Sequence, residues 1–315
     1  MTTTLGAVFR PQLAPERLRS VVRAADAAGL DELWLWEDCF REGGISTGAA
    51  ALAWSERLRV GIGLLPVPLR NVAVTAMEAA SLHRMFPGRP ILGVGHGVQD
   101  WMGQVGARVE SPLTLLREHL LALRALLAGE TVTTKGRYVA LDDVTLDWPP
   151  PGPVDVLAGG MGPRTVRLTG EAADGTILTA DTSADGVGQA CGLIREGRVA
   201  AGRDPDGHRV VVHLLTAAGD GARERLEAEL VAEGHAADAG RRVAGDARAV
   251  ADAVRRLAEA GADTVVLQPT GDEPDPEGFS ASSRRTCGRS SRSPPRRGPG
   301  KCTRRAAPPS GILAA

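Results

Sequence analysis

The stretch Val154-Asp155-Val156-Leu157-Ala158-Gly159-Gly160-Met161-Gly162-Pro163-Arg164-Thr165 decides how this chain is read. A run rich in aliphatic residues gives way to glycines at 159, 160 and 162, and Pro163 then opens a segment with helical spacing. That is a strand, a glycine turn and a helix start, the joint of a βα unit. Glycines there let main-chain N–H groups converge, and the positive end of the helix dipole favours an anion by roughly 0.3–2 kcal/mol. Arg164 adds a charge beside it. The same residues also make a tight βα turn with proline in the first helical position, a feature of many α/β proteins. Spacing alone leaves both readings open.

Working outward, aliphatic runs at 5–9, 32–37, 59–64, 90–95, 154–158, 175–178, 209–215 and 264–269 alternate with helical segments. The helical segments fall at 15–28, 45–55, 72–85, 113–128, 163–172, 184–201, 221–232 and 247–260. Eight strands with helical crossovers predict an α/β fold closed as a (β/α)₈ TIM barrel. Gly29 and Gly261 each stand just past a helix that runs into a strand, where glycine takes the left-handed cap. Asp246 is placed to cap a helix whose Val250, Val254 and Leu257 form a core stripe. The segment 136–152 alternates like a short ribbon and ends in a proline stop, so it reads as an insertion before strand five that walls the active site.

Length and composition set the limits. A chain of 315 residues with 43% hydrophobic and 24% charged residues can bury a full core. No apolar run approaches the roughly 20 residues that cross a bilayer, and the first nine residues lack a signal-peptide pattern, so a cytoplasmic protein without membrane contact is expected. Cys39, Cys191, Cys287 and Cys302 are far apart and are expected as free thiols. Residues 280–315 hold nine Arg and Lys and no Asp or Glu. The expected division is therefore a barrel over 1–279 and a disordered Arg/Ser/Pro-rich tail over 280–315. A reading-frame slip near Phe279 in a high-GC gene would give such a mixture, and Lys135 is the only lysine before Lys301. The other explanation is a genuine basic tail that binds a polyanion.

Strand ends are where a barrel keeps its chemistry. The fourth run ends Gly93-Val94-Gly95-His96-Gly97-Val98, without the third glycine of a dinucleotide fingerprint, which disfavours a Rossmann site. Glycines there either let a flat ring approach or relieve crowding in a small barrel. His96 is the one histidine at a strand end flanked by glycines, a candidate general acid or hydrogen-bond donor and equally a pocket-lining residue. His83 and His119 fall within helices, His213 within a strand, and no metal-ligand spacing is found. Trp36, Glu37 and Asp38 bring an aromatic and two carboxylates to the second strand's end, to position a cofactor or move a proton, or else to cap and pack a loop. Trp101 and Glu110 lie in the connection after His96 and could contact substrate. Leu65–Pro66 is a corner where a cis bond is conceivable.

Together these residues resemble the luciferase-like monooxygenase family, particularly its coenzyme F420-dependent branch. The likeness runs over about 5–278. It rests on Arg70-Asn71 before a helix, on Gly88-Arg89 through Gly97, on Gly159 through Arg164 and on to Gly175, and on Ala244-Gly245-Asp246 through Gly261. Departures are Glu37-Asp38-Cys39 where the family often has an acid followed by histidine, Val72 for a frequent proline, and Phe86-Pro87 where small residues are usual. The resemblance implies a deazaflavin or flavin ring across the strand ends, its phosphate on Gly159, Gly160, Met161, Gly162, Pro163 and Arg164. Gly95, Gly97 and Leu65 would then meet the cofactor, Trp36 and Trp101 the substrate, and His96, Glu37 and Asp38 would share acid–base work. The implied activity is hydride transfer between F420 and a small organic molecule. FMN-dependent monooxygenation on the same scaffold is one alternative, and an impaired barrel with a polyanion-binding tail is another. The family also implies a homodimer, with no nucleic-acid partner expected for the barrel.

Overall fold

The computed structural model describes residues 3–232 and 241–286. Strands β1 (Thr4–Val8), β2 (Glu32–Leu35), β3 (Arg59–Pro66), β4 (Pro90–Gly95), β7 (Val156–Gly159), β8 (Gly175–Leu178), β9 (Arg209–Ala218) and β11 (Thr264–Pro269) form the barrel wall. They pair in parallel in that order, and β11 returns to β1 to close the ring. The long helices are α1 (Leu18–Ala28), α2 (Gly44–Trp54), α3 (Val72–Met85), α5 (Pro112–Leu127), α6 (Pro163–Ala172), α7 (Ala184–Ala200), α8 (Ala222–Ala232) and α9 (Ala247–Glu259). A single-turn-and-a-half α4 (Gln99–Gln104) follows β4, and α10 (Pro276–Thr286) follows β11. The fold is the (β/α)₈ barrel expected from the alternation of runs.

The inward faces explain why the barrel closes here. Val8, Trp34, Ile91, Leu157, Ile177, Val211 and Val266, each from a different strand, form one apolar cluster along the axis. The remaining strand, β3, faces it with glycines. A Cβ on Gly61 would stand 2.5 Å from the Trp34 ring, and one on Gly63 would stand 2.9 Å from it. Real Cβ contacts do not reach such distances, so the indole occupies the space that β3 leaves empty. Below it, Glu32 is fully buried and accepts from Trp34 Nε1 at 3.1 Å, Arg59 at 2.9 Å and Arg209 at 2.6 Å. That cluster seals the base of the barrel with a charge that its partners neutralise. Ala25, Leu33, Leu52, Leu116 and Val265 belong to the second and larger core, between wall and helices.

Several local readings change. The ribbon is present as the antiparallel pair β5 (Val132–Lys135) and β6 (Ala140–Val144), but it does not wall the active site. Glu118 of α5 accepts from the main-chain N–H of Arg137, Tyr138 and Val139, which ties the ribbon to the outer helix layer. The prolines after it line a cavity of about 360 Å³ at the base of the barrel, with Arg59, His83 and Arg209. A further strand, β10 (Arg242–Gly245), pairs with the last residues of β9, which runs three residues past its expected end.

The boundary at 279/280 also moves. Helix α10 continues to Thr286 and stands beside α1, to which Glu277 is tied through Arg17 at 2.6 Å and Ser20 at 2.6 Å. Its start is capped by Asp275, which accepts from Gly278 N at 2.8 Å. The apolar stripe missing from the sequence is replaced by Phe279 with buried Ser280 and Ser283, and the Ser283 hydroxyl donates to the Phe279 carbonyl at 2.8 Å. Small serines pack there because their hydroxyls find a partner within the helix. The rest of the proposed disordered tail, 287–315, lies outside the described residues.

Replacing Glu32 by Ala leaves Arg209 and Arg59 facing each other without their counter-charge. We expect a loss of about 3–5 kcal/mol in urea unfolding, and a change below 1 kcal/mol would show that the base cluster contributes little.

Candidate active site

At the carboxyl ends of the strands a cavity of about 380 Å³ opens, lined among others by Trp36, Leu64, His96, Trp101, Gly159, Gly160, His213 and Gln268. Its wall is mostly apolar. Its floor is the upper edge of the axial cluster: the Trp34 and His213 rings meet edge-on at 6.0 Å, and Trp36 lies tilted over His213 at 5.6 Å. Arg10 stands 5.3 Å from the Trp36 ring centre on its way to Glu229 of α8, which it reaches at 2.6 Å.

The glycine turn lies at this same rim and is open. Met161 is 78% exposed, and Gly162, Pro163 and Arg164 are exposed beside it. Gly162 is the N-cap of α6 and caps it with no side chain, so the first N–H groups of the helix have no side-chain acceptor. A Cβ on Gly162 would meet nothing within 4 Å, whereas one on Gly160 would strike Thr165 at 2.3 Å. Gly160 is thus required by the turn itself, and Gly162 leaves open space where an anion could approach.

The expected residues separate on inspection. His96 lines the cavity, and its Nε2 lies 3.0 Å from the hydroxyl of Thr165 in the first turn of α6. Burial lowers its pKa, so the imidazole is neutral. Asp38 also lines the cavity, and burial raises its pKa against the opposing pull of Arg10 and Arg41. Glu37 reaches the cavity too, but its carboxylate is taken by Arg70, at 2.6 and 3.1 Å, and by the N–H of Gly44 at 2.8 Å. Arg70 in turn holds Glu78 at 2.7 Å. Glu37 therefore anchors the loop to α2 and α3, which leaves Asp38 as the cavity carboxyl outside that ion pair.

Four expectations are corrected. Leu65 is fully buried in the outer core, because the pairing of β3 with β4 shifts between Ile62 and Leu65 and turns Leu64 inward instead. Gly95 does not line the cavity; a Cβ there would meet Leu64 at 2.5 Å, so the glycine relieves crowding. Gly97 does line it, with φ of +68°, which only glycine adopts readily. Glu110 points to solvent and pairs with Arg137. The cis bond of this corner is Gly63–Leu64, not Leu65–Pro66.

Two buried polar residues of the cavity were not singled out as site residues from sequence, His213 and Gln268. Each is the polar exception in an otherwise apolar run, Val-Val-Val-His213-Leu-Leu and Val-Val-Leu-Gln268-Pro. In strands buried on both faces that exception is the available signal. Among the described residues no group of three His, Cys, Asp or Glu could hold a metal ion, and no helix is long and apolar enough to cross a membrane.

A parallel eight-stranded barrel with an open glycine turn and an apolar cavity on one rim is a (β/α)₈ scaffold with its candidate site at the strand ends, and comparison with known proteins specifies the family. Residues 2–234 match the family described as luciferase-like monooxygenase, and the chain belongs to that family. It is similar to the 5,10-methylenetetrahydromethanopterin reductase of Methanolobus tindarius, 31% identical over 202 residues, covering 64% of this chain and 61% of that one. It is also similar to the F420-dependent glucose-6-phosphate dehydrogenase of Kineococcus radiotolerans, 33% identical over 208 residues and 61% of each chain. The match thus spans about 61% of the length of both curated relatives. Among solved structures, the coenzyme F420-dependent tetrahydromethanopterin reductase of Methanopyrus kandleri superposes with a TM-score of 0.76 at 20% identity, over 90% of this chain and 98% of that one. An F420-dependent secondary alcohol dehydrogenase in complex with an F420–acetone adduct gives 0.79 at 21% identity, over 91% and 99%. At such identities the superpositions establish the fold.

The buried histidine of the floor gives a test by pH. Burial first, then Arg10, depress the His213 pKa to about 4, below the roughly 6.5 of an unfolded histidine. Between those values the unfolded chain binds the extra proton, so stability falls as pH drops through that window. We expect His213→Leu to lose less stability between pH 7.5 and pH 5 than the parent does, by about 2 kcal/mol at pH 5. Parallel pH profiles for the two proteins would contradict this.

Proposed function

We propose that this chain is an oxidoreductase that transfers a hydride between coenzyme F420 and a small organic substrate. The observation that carries the reading is the meeting, on one rim, of an open helix N-terminus and a mostly apolar cavity of about 380 Å³. A phosphate at the start of α6 and a flat ring in the cavity fit these two features together. The name of the Kineococcus relative, an F420-dependent dehydrogenase, points the same way.

When bound, coenzyme F420 supplies the hydride chemistry. The protein supplies place and proton. Gly159 to Arg164 would hold the phosphate through the main-chain N–H groups of the glycine turn and of Arg164, together with the Arg164 guanidinium. Trp36 and Trp101 wall the cavity and keep water out. Asp38, whose pKa burial raises, delivers a proton to a substrate carbonyl oxygen in one direction and accepts it from the hydroxyl in the other. Glu37 keeps Asp38 in place by locking the loop to Arg70. The free thiols of Cys39 and Cys191 accord with a cytoplasmic setting.

Titration of the purified protein with F420 and separately with FMN, followed by the quenching of ring fluorescence, tests the reading. We expect saturable F420 binding, weakened about tenfold by Arg164→Glu with the fold unchanged. Binding of FMN alone would replace it with the flavin monooxygenase, and binding of neither would reject both.

We infer also that two copies pair through α3. Val74, Met77 and Met85 are exposed and fall along one side of it, and apolar groups in that arrangement gain by being covered. Sedimentation of the parent is expected to give a dimer and of Met77→Glu a monomer, whereas a monomeric parent would remove the inference.

A further inference from the structure

A cavity whose wall is mostly apolar carries two polar side chains at depth. His213 on β9 is 4% exposed and Gln268 on β11 is 7% exposed, and both line the cavity. Their strands are hydrogen-bonded neighbours. Val266 is in register with His213, so Gln268 stands two residues nearer the mouth on the same inward face. The protein satisfies neither of them. His213 Nδ1 is buried with no hydrogen-bond partner, and the ring packs against the Trp34 and Trp36 rings. The Gln268 carboxamide opens into the same cavity, with no hydrogen bond to it among the described residues.

Buried polar groups are almost always paired, so a buried imidazole nitrogen without a protein partner, beside a carboxamide that opens to the same cavity, points to a partner from outside the chain. Its chemistry follows from theirs. A carboxamide presents one carbonyl and one NH₂, and a neutral imidazole presents one donor and one acceptor, with no charge on either. An edge that alternates carbonyl oxygens with an N–H satisfies the pair, while a carboxylate or ammonium would be buried without a counter-charge. The pair also faces the glycine turn across the mouth, since β11 is three strands from β7 around the wall. A molecule held by its phosphate at α6 therefore has its second polar anchor on the far side of the cavity.

Resting on the cofactor reading above, we propose that His213 and Gln268 recognise the carbonyl and imide N–H edge of the redox ring and so fix which way the ring lies in the barrel. The floor position favours the ring over the substrate. His213 sits against Trp34 and Trp36 at the closed end of the cavity with Gln268 next above it, so the first molecule to enter covers both, and substrate is left the side of the mouth that Trp101 walls.

The test measures affinity by ring fluorescence for F420, FMN and N3-methyl-FMN in the full chain, in Gln268→Leu and in His213→Leu. Each substitution is expected to weaken F420 about tenfold, the cost of leaving one buried imide group unpaired. N3-methylation is expected to weaken FMN for the parent by a similar factor and to leave Gln268→Leu indifferent, because the partner of that N–H is already gone. Should His213→Leu fail to fold, Gln268→Leu and the methylated probe still decide the matter. Unchanged F420 affinity in folded variants would overturn the proposal and leave the enzyme reading standing. A raised KM for substrate at unchanged cofactor affinity would overturn it too, assigning the pair to substrate. A parent that binds neither F420 nor FMN would remove the proposal together with the reading on which it rests.

Discussion

The barrel depends on one steric exchange, the Trp34 indole filling the axis where β3 presents Gly61 and Gly63. A small eight-stranded barrel has just enough room for inward side chains, and here one large ring replaces several smaller ones. Gly6 on the other side of β2 leaves room as well, with a Cβ there meeting the indole at 3.0 Å. Because the indole also donates to Glu32, its orientation is set by the charge cluster of the base. The height of that ring fixes the floor on which His213 and Trp36 lie. The depth of the cavity is thus determined by residues that never touch a ligand.

The same economy separates the two acids of the second strand's loop. Glu37 and Asp38 are neighbours in sequence and read alike there. Arg70, arriving from beyond β3, takes Glu37 into a bidentate pair, while at Asp38 burial outweighs the opposing pull of Arg10 and Arg41 and raises the pKa. Which acid is tied into an ion pair and which is left to burial is therefore a property of where three arginines arrive. Spacing along the chain holds no information on that.

The architecture was legible because the period of the aliphatic runs and the glycine caps at Gly29 and Gly261, with φ of +74° and +118°, report local backbone demands. Asp246 likewise caps α9 as its neighbours imply, accepting from Ala249 N at 2.9 Å. What escaped were features that depend on registry or on a partner far away in sequence. The slip in β3 exchanges Leu64 for Leu65, and no residue type announces a slip. Strand β10 exists because β9 is long enough to receive it. Helix α10 has serines on its buried face, which composition reads as solvent-seeking, yet Arg17 and Ser20 of the first connection and α1 dock its Glu277. His213 and Gln268 were visible as polar interruptions, but a strand buried on both faces hides which interruption looks inward.

A hydrogen bond joins the two halves of the site. Thr165 lies in the first turn of α6, directly after the open glycine turn, and its hydroxyl meets His96 at the end of β4. Thr165 is also the group that leaves no space for a Cβ on Gly160. The turn that would receive a phosphate and the imidazole that lines the ring cavity are therefore positioned by one side chain. An anion drawn to the N-terminus of α6 acts on a helix already fastened to the cavity wall, so binding at one feature costs little further ordering at the other. Rigid coupling of this kind would let a loop of three glycines serve as the proposed phosphate site, since the freedom those glycines would otherwise retain is removed by the contact behind them.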